Sequence, residues 1–384
     1  MSAEHFDVIV VGAGIVGLAH ALEAVRRGLK VCVLDRDASC TGASVRNFGF
    51  VTVTGQQAGQ TWQRAMHSRN VWHEIAPQVG IQVIHRGLWL VARRQEAAAV
   101  LQAFLKTEMG EACSLLHVQD AAERAPSLAL EHAQAVLYSP HELRIESRDA
   151  IGQLTRWLAD QHGVAFRFGC TALHVDTPWV ATTQGRLRAE RIVVCPGADI
   201  RSLFPEVFAR RRVTLCKLQM LRVRPDAGFR LPGSVMSDLS LVRYRGYADL
   251  PEARALAEVL AHEERAALDH GVHLIAVQSA DGSLVVGDSH HYGPSPSPFN
   301  DEAVDEIILR HLREAVHTER LDVLERWSGV YPSATEASFI DAPDAAVRVV
   351  SVTSGTGAST AFGIARDVFD QWEHIKETKD ERAA

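Results

Sequence analysis

The chain has 384 residues, 47% of them apolar and 23% charged, which fits a soluble globular protein of two to three domains or one large two-lobed unit. A core of that size forms without disulfides or metal. The net charge of −7 excludes a general nucleic-acid binder, which needs a basic surface, but leaves local basic pockets open.

Residues Met1–His5 carry no positive leader, and no apolar run reaches the roughly 20 residues a membrane helix needs. The expectation is a cytoplasmic protein without membrane contact. The six cysteines (Cys32, Cys40, Cys113, Cys170, Cys195, Cys216) form no C-x-x-C pair, which argues against a zinc ribbon, an iron–sulfur cluster or a disulfide scaffold.

Asp7 to Val11 is a β-branched run after its first residue, as in a strand buried on both faces. Glycines follow, then a helix from about Ile15 to Arg27 closed by Gly28, then a second buried strand, Lys30 to Leu34, ending at Asp35. This order predicts a βαβ unit with a parallel sheet. Farther along, helices are predicted over 61–76, 95–109, 148–162, 252–270 and 301–317, with a last helix opened by Gly355 and running to about Lys376. Strands are predicted over 87–92, 164–175, 187–195, 217–223, 272–277, 284–287 and 348–352. No repeat or low-complexity segment interrupts them.

Gly12-Ala13-Gly14-Ile15-Val16-Gly17 is a G-x-G-x-x-G run between a strand and a helix, and Asp35 ends the next strand 18 positions after Gly17. Gly12 allows the tight turn, Gly14 lets a pyrophosphate approach the backbone, and Gly17 permits close helix–strand packing. The helix N-terminus offers free N–H groups to phosphates, and Asp35 would accept from ribose hydroxyls. A glycine-rich turn in another α/β fold is the competing reading. Gly355 and Gly357 lie between a buried strand and the final helix, where backbone N–H groups can face the edge of a flavin that gains negative charge on reduction.

Together these segments resemble the D-amino-acid oxidase, glycine oxidase and sarcosine oxidase family. The resemblance runs through the fingerprint with Asp35, the loop Thr41–Gly49, the strand and turn Ile192–Ala198, and the stretches Trp327–Pro332 and Thr353–Ser359. It implies an α/β fold: a Rossmann-like FAD-binding domain interleaved with an α+β substrate domain carrying a large mixed sheet. The implied division is residues 1–85, 147–215 and 326–384 for the FAD domain, and 86–146 and 216–325 for the substrate domain. Carried onto this sequence, FAD contacts fall on Gly12, Ala13, Gly14, Ile15, Val16, Gly17, Asp35 and Arg36. They continue at Gly42, Ala43, Ser44, Arg46, Asn47, Ala172, Cys195 and Gly197, and end with Gly355, Thr356, Gly357, Ala358 and Ser359.

The chain departs from the family at its substrate anchors. Amino-acid oxidases carry an Arg in a Gly-x-Arg-Pro motif, which here reads Gly329-Val330-Tyr331-Pro332. The Lys and the flavin-bonding Cys of sarcosine oxidases align with Ser359 and Gly329, so FAD is expected to be non-covalent. An oxygen-activating Lys aligns with Val285 or Val286, which leaves open whether oxygen or another carrier accepts the electrons. The motifs around Arg46–Gly49, Val242–Tyr247 and Gly287–Gly293 are similar to a bacterial clade of oxidoreductases linked with aminophosphonate breakdown.

That similarity implies oxidation of a C–N bond by hydride transfer to flavin N5, giving an imine that hydrolyses to an aldehyde. The implied substrate is 2-aminoethylphosphonate or its N-methyl derivative. Oxidation of sarcosine, glycine or a D-amino acid, and a non-catalytic FAD-binding protein, are the alternatives. Arg243 and Arg245, read as one face of a strand, with Tyr244 between them, are candidates for an anion, joined by Arg46, His290 and Tyr331. A solvated strand edge competes with that reading, and surface-loop histidines compete at His290 and His291. No metal is expected, since no Cys or carboxylate cluster accompanies those histidines at ligand spacing. Gly287-Asp288-Ser289-His290 superficially matches a flavin hydroxylase segment but leads into Pro294, Pro296 and Pro298 rather than a flavin-binding helix. The oligomeric state is open.

Overall fold

A computed structural model describes the backbone of residues 4–383 and the side chains of residues 4–374. Its first sheet has eight strands. The main path runs Ser338–Asp344, Val347–Val352, Gly185–Val194, His5–Val11, Val31–Leu34, Ala165–Arg167. Ala172–Asp176 and Trp179–Thr182 extend it as an antiparallel flap on Gly185–Val194. The four central pairings, from Val347–Val352 to Ala165–Arg167, are parallel. Parallel strands are covered on both faces, which explains the unbroken apolar runs: Val8, Ile9 and Val10 are wholly buried.

Four helices share the core over one face of this sheet: Ile15–Arg26, Ser147–His162, Gln60–Val79 and Gly357–Ala383. The last two cross closely because Gly363 has no side chain; a Cβ there would lie 2.6 Å from the Arg64 Cα. Arg64 then pairs with Asp367 at 2.7 Å. Trp72 meets the Phe362 ring edge-on at 5.1 Å, and its indole N–H donates to the Ala358 carbonyl at 2.8 Å. That bond ties Gln60–Val79 to the first turn of the final helix.

The second sheet has ten strands. Its main path is His291–Gly293, Thr214–Arg224, Leu284–Gly287, Ile275–Gln278, Ser234–Ser237, Val83–Ala92, Ala135–Ile145, Phe50–Val51. Asp322–Ser333 pairs along the whole of Thr214–Arg224, and Ser114–Leu116 pairs with Ala135–Ile145. The sheet is mixed: Ser234–Ser237 runs parallel to Val83–Ala92 while its other neighbour is antiparallel. The α/β architecture with a large mixed sheet is therefore present. No helix among the described residues is long and apolar enough to cross a membrane.

Three sequence expectations change. The strand Ala135–Ile145 has no counterpart in them, because Ser139, Pro140, His141, Glu142 and Arg144 break any apolar period. The fold accepts Pro140 at a shift in register between Leu88–Ser139 and Arg86–Leu143. It accepts the buried Glu142 because its carboxylate takes the Val53 and Thr54 N–H groups. Second, Arg243 and Arg245 are not on a strand. A 3-10 turn, Asp238–Val242, leads into a four-residue helix, Arg245–Ala248. Gly246 packs there against the backbone of Gly55 and Gln56, an approach that an extended strand with side chains would block. Third, the divisions at 216 and 326 fall inside Thr214–Arg224 and Asp322–Ser333, both wholly in the second sheet.

Replacing Trp72 tests the seam between helices. Trp72→Phe removes the bond to the Ala358 carbonyl and should cost about 1–2 kcal/mol. Trp72→Ala opens a core cavity and should cost about 3–5 kcal/mol. Denaturant unfolding of the FAD-loaded protein measures both.

Candidate functional site

The turn after the first strand is built by contact limits. Gly12 has φ 107°, and a Cβ there would sit 2.2 Å from the Cys195 carbonyl oxygen. A Cβ on Gly17 would sit 1.8 Å from the Gly12 carbonyl oxygen. Side chains are thus excluded where strand, turn and helix converge. Asp35 accepts the Ala13 N–H at 2.7 Å and the Asp37 N–H at 3.0 Å. Ser44 accepts the Ile15 N–H at 2.9 Å, which draws the 41–49 loop over the fingerprint. Asn47 staples that loop by donating to the Ala43 and Ser44 carbonyls and accepting from the Gly49 N–H.

Two helix N-termini open into one cleft. Neither Ile15–Arg26 nor Gly357–Ala383 has an acidic residue in its first turn, so both positive dipole ends stay free for an anion or an electron-rich ring edge. The cleft encloses about 1890 Å³ of empty space, part of it open to solvent. One end is lined by Gly14, Ile15, Gly17 and Ser44, the middle by Cys195 and Gly355 to Ser359, and the far end by Arg243, His290 and Tyr331. A side-chain-free pyrophosphate cradle leading to a second helix start fits a bound flavin dinucleotide.

Of the expected cofactor residues, Gly14 to Gly17, Ala43, Ser44, Arg46, Asn47, Cys195, Gly197 and Gly355 to Ser359 line the cleft. Gly12, Ala13 and Asp35 shape the turn behind it. Arg36 points elsewhere and pairs with Asp199 at 2.7 Å. Ala172 belongs to the antiparallel flap and does not line the cleft.

All six expected substrate residues line the cleft, in different circumstances. Arg46 is exposed and bonded to the Ser328 carbonyl. Arg245 is exposed at the rim and paired with Asp249 at 3.2 Å. Arg243 points both terminal nitrogens at the Tyr292 hydroxyl at 3.3 Å, and one of them lies 3.5 Å from the Tyr331 hydroxyl. Tyr331 lies against Gly355, where a Cβ would sit 3.1 Å from the ring. Burial pushes the Tyr331 phenol well above its usual range despite Arg243, so it stays a neutral donor.

His290 is buried, which removes the competing surface-loop reading. It converges with Asp288 and His273, whose ligand atoms all lie within 4.8 Å of one another. This corrects the expectation that no carboxylate accompanies the histidines. Asp288 was visible only in a run set aside as a false hydroxylase match. His273 had no local signal; pairing of Ile275–Gln278 with Leu284–Gly287 brings it alongside. Burial pushes both imidazoles below their usual range, His290 to about 3. Burial alone would raise the Asp288 carboxyl, but His290, His273 and Arg243 outweigh it and hold it well below the carboxylate range.

Comparison with known proteins agrees with this geometry. The profile of the family described as FAD dependent oxidoreductase matches residues 7–371. The chain is 24% identical to monomeric sarcosine oxidase of Bacillus sp. over 204 residues, covering 50% of this chain and 52% of that protein. It is 23% identical to glycine oxidase of Geobacillus kaustophilus over 210 residues, covering 50% and 55%. The matched region therefore spans about half the length of these curated relatives. The crystal structure of that glycine oxidase superposes with a TM-score of 0.77 at 19% identity, over 97% of this chain and 95% of the other. A dithionite-reduced L-α-glycerophosphate oxidase from Mycoplasma pneumoniae, with FAD bound, superposes with a TM-score of 0.73 at 16% identity, over 96% and 95%.

Behind the fingerprint, His20 is wholly buried, donates from Nδ1 to the Val16 carbonyl at 2.7 Å, and has no partner at Nε2. Burial lowers it from 6.5 to about 4. The unfolded chain takes up this proton below pH 6.5 and the folded chain does not, so stability falls between pH 6.5 and 4. The loss amounts to roughly 3 kcal/mol at one group. In His20→Leu that part of the slope should vanish when unfolding free energy is measured against pH; an unchanged slope assigns the acid sensitivity to other groups.

Proposed function

The chain belongs to the family of FAD-dependent oxidoreductases, and we propose that it oxidises the C–N bond of a small amine carrying a phosphonate. The observation that carries this reading is Arg243, held with the hydroxyls of Tyr292 and Tyr331 at the far end of the cofactor cleft. A guanidinium fork and two phenols suit an anion with several oxygens. The Arg that amino-acid oxidases offer to a carboxylate is replaced by Tyr331. That replacement favours a different anion, presented from a different wall.

Bound FAD supplies the two-electron acceptor for the bond next to nitrogen. The chain's residues would do the rest. Gly14 to Gly17 and Gly355 to Ser359 would hold the cofactor at either end. Arg243 would fix the anionic end of the substrate, and Tyr331, braced on Gly355, would set its distance from the ring. Phe48, Phe50, Leu218 and Ile275, all buried, line the space between and keep it dry. Arg245 at the rim would attract anions rather than grip them, since Asp249 already shares its charge. Positioning of this kind accounts for much of a rate enhancement. A neutral amine needs no strong base beside it. The product imine would hydrolyse to an aldehyde. Oxygen or another carrier would take the electrons afterwards.

The test is anaerobic mixing of the yellow protein with N-methyl-2-aminoethylphosphonate, 2-aminoethylphosphonate, sarcosine, glycine and D-alanine, following loss of flavin colour. The phosphonates should bleach it fastest. Faster bleaching by sarcosine, glycine or D-alanine assigns the site to amino acids instead, and no bleaching by any amine assigns the chain to non-catalytic FAD binding. Arg243→Ala should raise KM for the phosphonate about tenfold to a hundredfold, the worth of one charged fork. Its kcat should change much less; an unchanged KM removes Arg243 from the site.

A further inference from the structure

We propose that His273, Asp288 and His290 form a binding site for one divalent transition-metal ion on the wall of the substrate chamber. The proposal rests on where the lone pairs point. His290 Nδ1 lies 2.8 Å from the Gly271 carbonyl oxygen, an atom that can only accept. The ring proton therefore sits on Nδ1, and the Nε2 lone pair faces Asp288 Oδ2 at 3.6 Å. The Ser240 hydroxyl donates to the His273 carbonyl at 2.7 Å, so its oxygen receives the N–H of His273 Nδ1 at 3.2 Å. His273 Nε2 then also presents a lone pair, 3.0 Å from Asp288 Oδ1.

With both ring protons on Nδ1, the two Nε2 lone pairs and the Asp288 carboxylate converge. Oδ1 of Asp288 is left without a hydrogen-bond partner although the residue is only 5% exposed. Buried acceptors facing each other repel unless a cation lies between them. Ligand atoms about 2.0–2.2 Å from an ion stand roughly 3–4 Å apart; here the two imidazole–carboxylate approaches are 3.0 and 3.6 Å, and one ligand atom from each residue lies within 4.8 Å of the others. Each histidine is braced through its other nitrogen by a backbone carbonyl or a hydroxyl, the outer support that metal-bound imidazoles use. Gly271 permits that brace, since a Cβ on it would crowd the His290 Cβ at 2.8 Å.

A second cluster, Glu264, His311 and Glu314, shows the contrast. Its carboxylates already pair with Arg94, Arg310 and Arg93, so cations of the protein fill it. Beside Asp288 the neighbouring guanidinium, Arg243, is directed at two phenols instead.

Two imidazoles and one carboxylate suit zinc, iron(II), cobalt(II) or manganese(II), with the remaining positions open. All three ligands line the cleft, so the open positions face the substrate space beside Arg243. Such an ion would take an oxyanion of the bound ligand, and metal plus guanidinium would match a dianion better than a carboxylate. That last step rests on the phosphonate reading; the metal site does not.

The test is metal binding by the FAD-loaded protein after chelator treatment and desalting. Zinc(II) and cobalt(II) are added separately, with calorimetry for affinity and elemental analysis for stoichiometry. About one equivalent should bind tightly. Asp288→Asn, which keeps the shape, and His290→Gln should each weaken binding about tenfold or more while the protein stays yellow. His311→Gln, in the other cluster, should leave it unchanged. Failure of the yellow protein to bind either ion, or binding indifferent to Asp288→Asn, overturns the proposal. Because these readouts are independent of turnover, their failure is distinct from failure of the phosphonate substrates to bleach the flavin.

Discussion

The strand Asp322–Ser333 is hydrogen-bonded into the second sheet, yet its side chains and carbonyls grip the first lobe, and the site depends on that grip. The Trp327 indole donates to the Arg46 carbonyl at 3.1 Å, and Arg46 donates back to the Ser328 carbonyl at 3.3 Å. Four residues on, the Tyr331 ring lies over Gly355. The loop that covers the fingerprint and the turn that starts the final helix are thus both pinned to one strand of the other sheet. The fingerprint end and the Arg243 end of the cleft share a wall, so the distance between them is set by covalent geometry along a few residues.

The far end of the cleft has an unusual charge arrangement. One cation, Arg243, faces the hydroxyls of Tyr292 and Tyr331, while one carboxylate, Asp288, faces two imidazoles whose protonation burial disfavours. Desolvated charges of this kind are costly when left alone. A ligand with a compact anionic group satisfies the first, and a bound cation satisfies the second. Both demands fall within one enclosure.

Much of the cofactor half was readable in the sequence because its rules are local. Glycines at 12, 14 and 17 sit where backbone meets backbone, and apolar runs such as Val8–Val11 mark strands covered on both faces. The substrate half was less readable because its contacts are distant. Arg243 was found, but on the wrong element, since packing of Gly246 on Gly55 overrides the extended pattern. His273 is 15 positions from Asp288 in sequence, and only antiparallel pairing makes them neighbours. The strand bearing Glu142 and Arg144 was missed for the same reason: its polar residues are matched by partners far along the chain, Thr54 and Ser279 among them.

The central claim is that an anion held by Arg243 shares its enclosure with the flavin and that the enclosure prefers phosphonate. It is tested most directly by titrating the FAD-loaded protein with ethylphosphonate and, separately, propionate, neither of which carries an amine to oxidise. The visible spectrum of the bound flavin reports occupancy. The account predicts that ethylphosphonate perturbs that spectrum at lower concentration than propionate and that Arg243→Ala abolishes the difference. Tighter binding of propionate, or an ethylphosphonate response that survives Arg243→Ala undiminished, would contradict it.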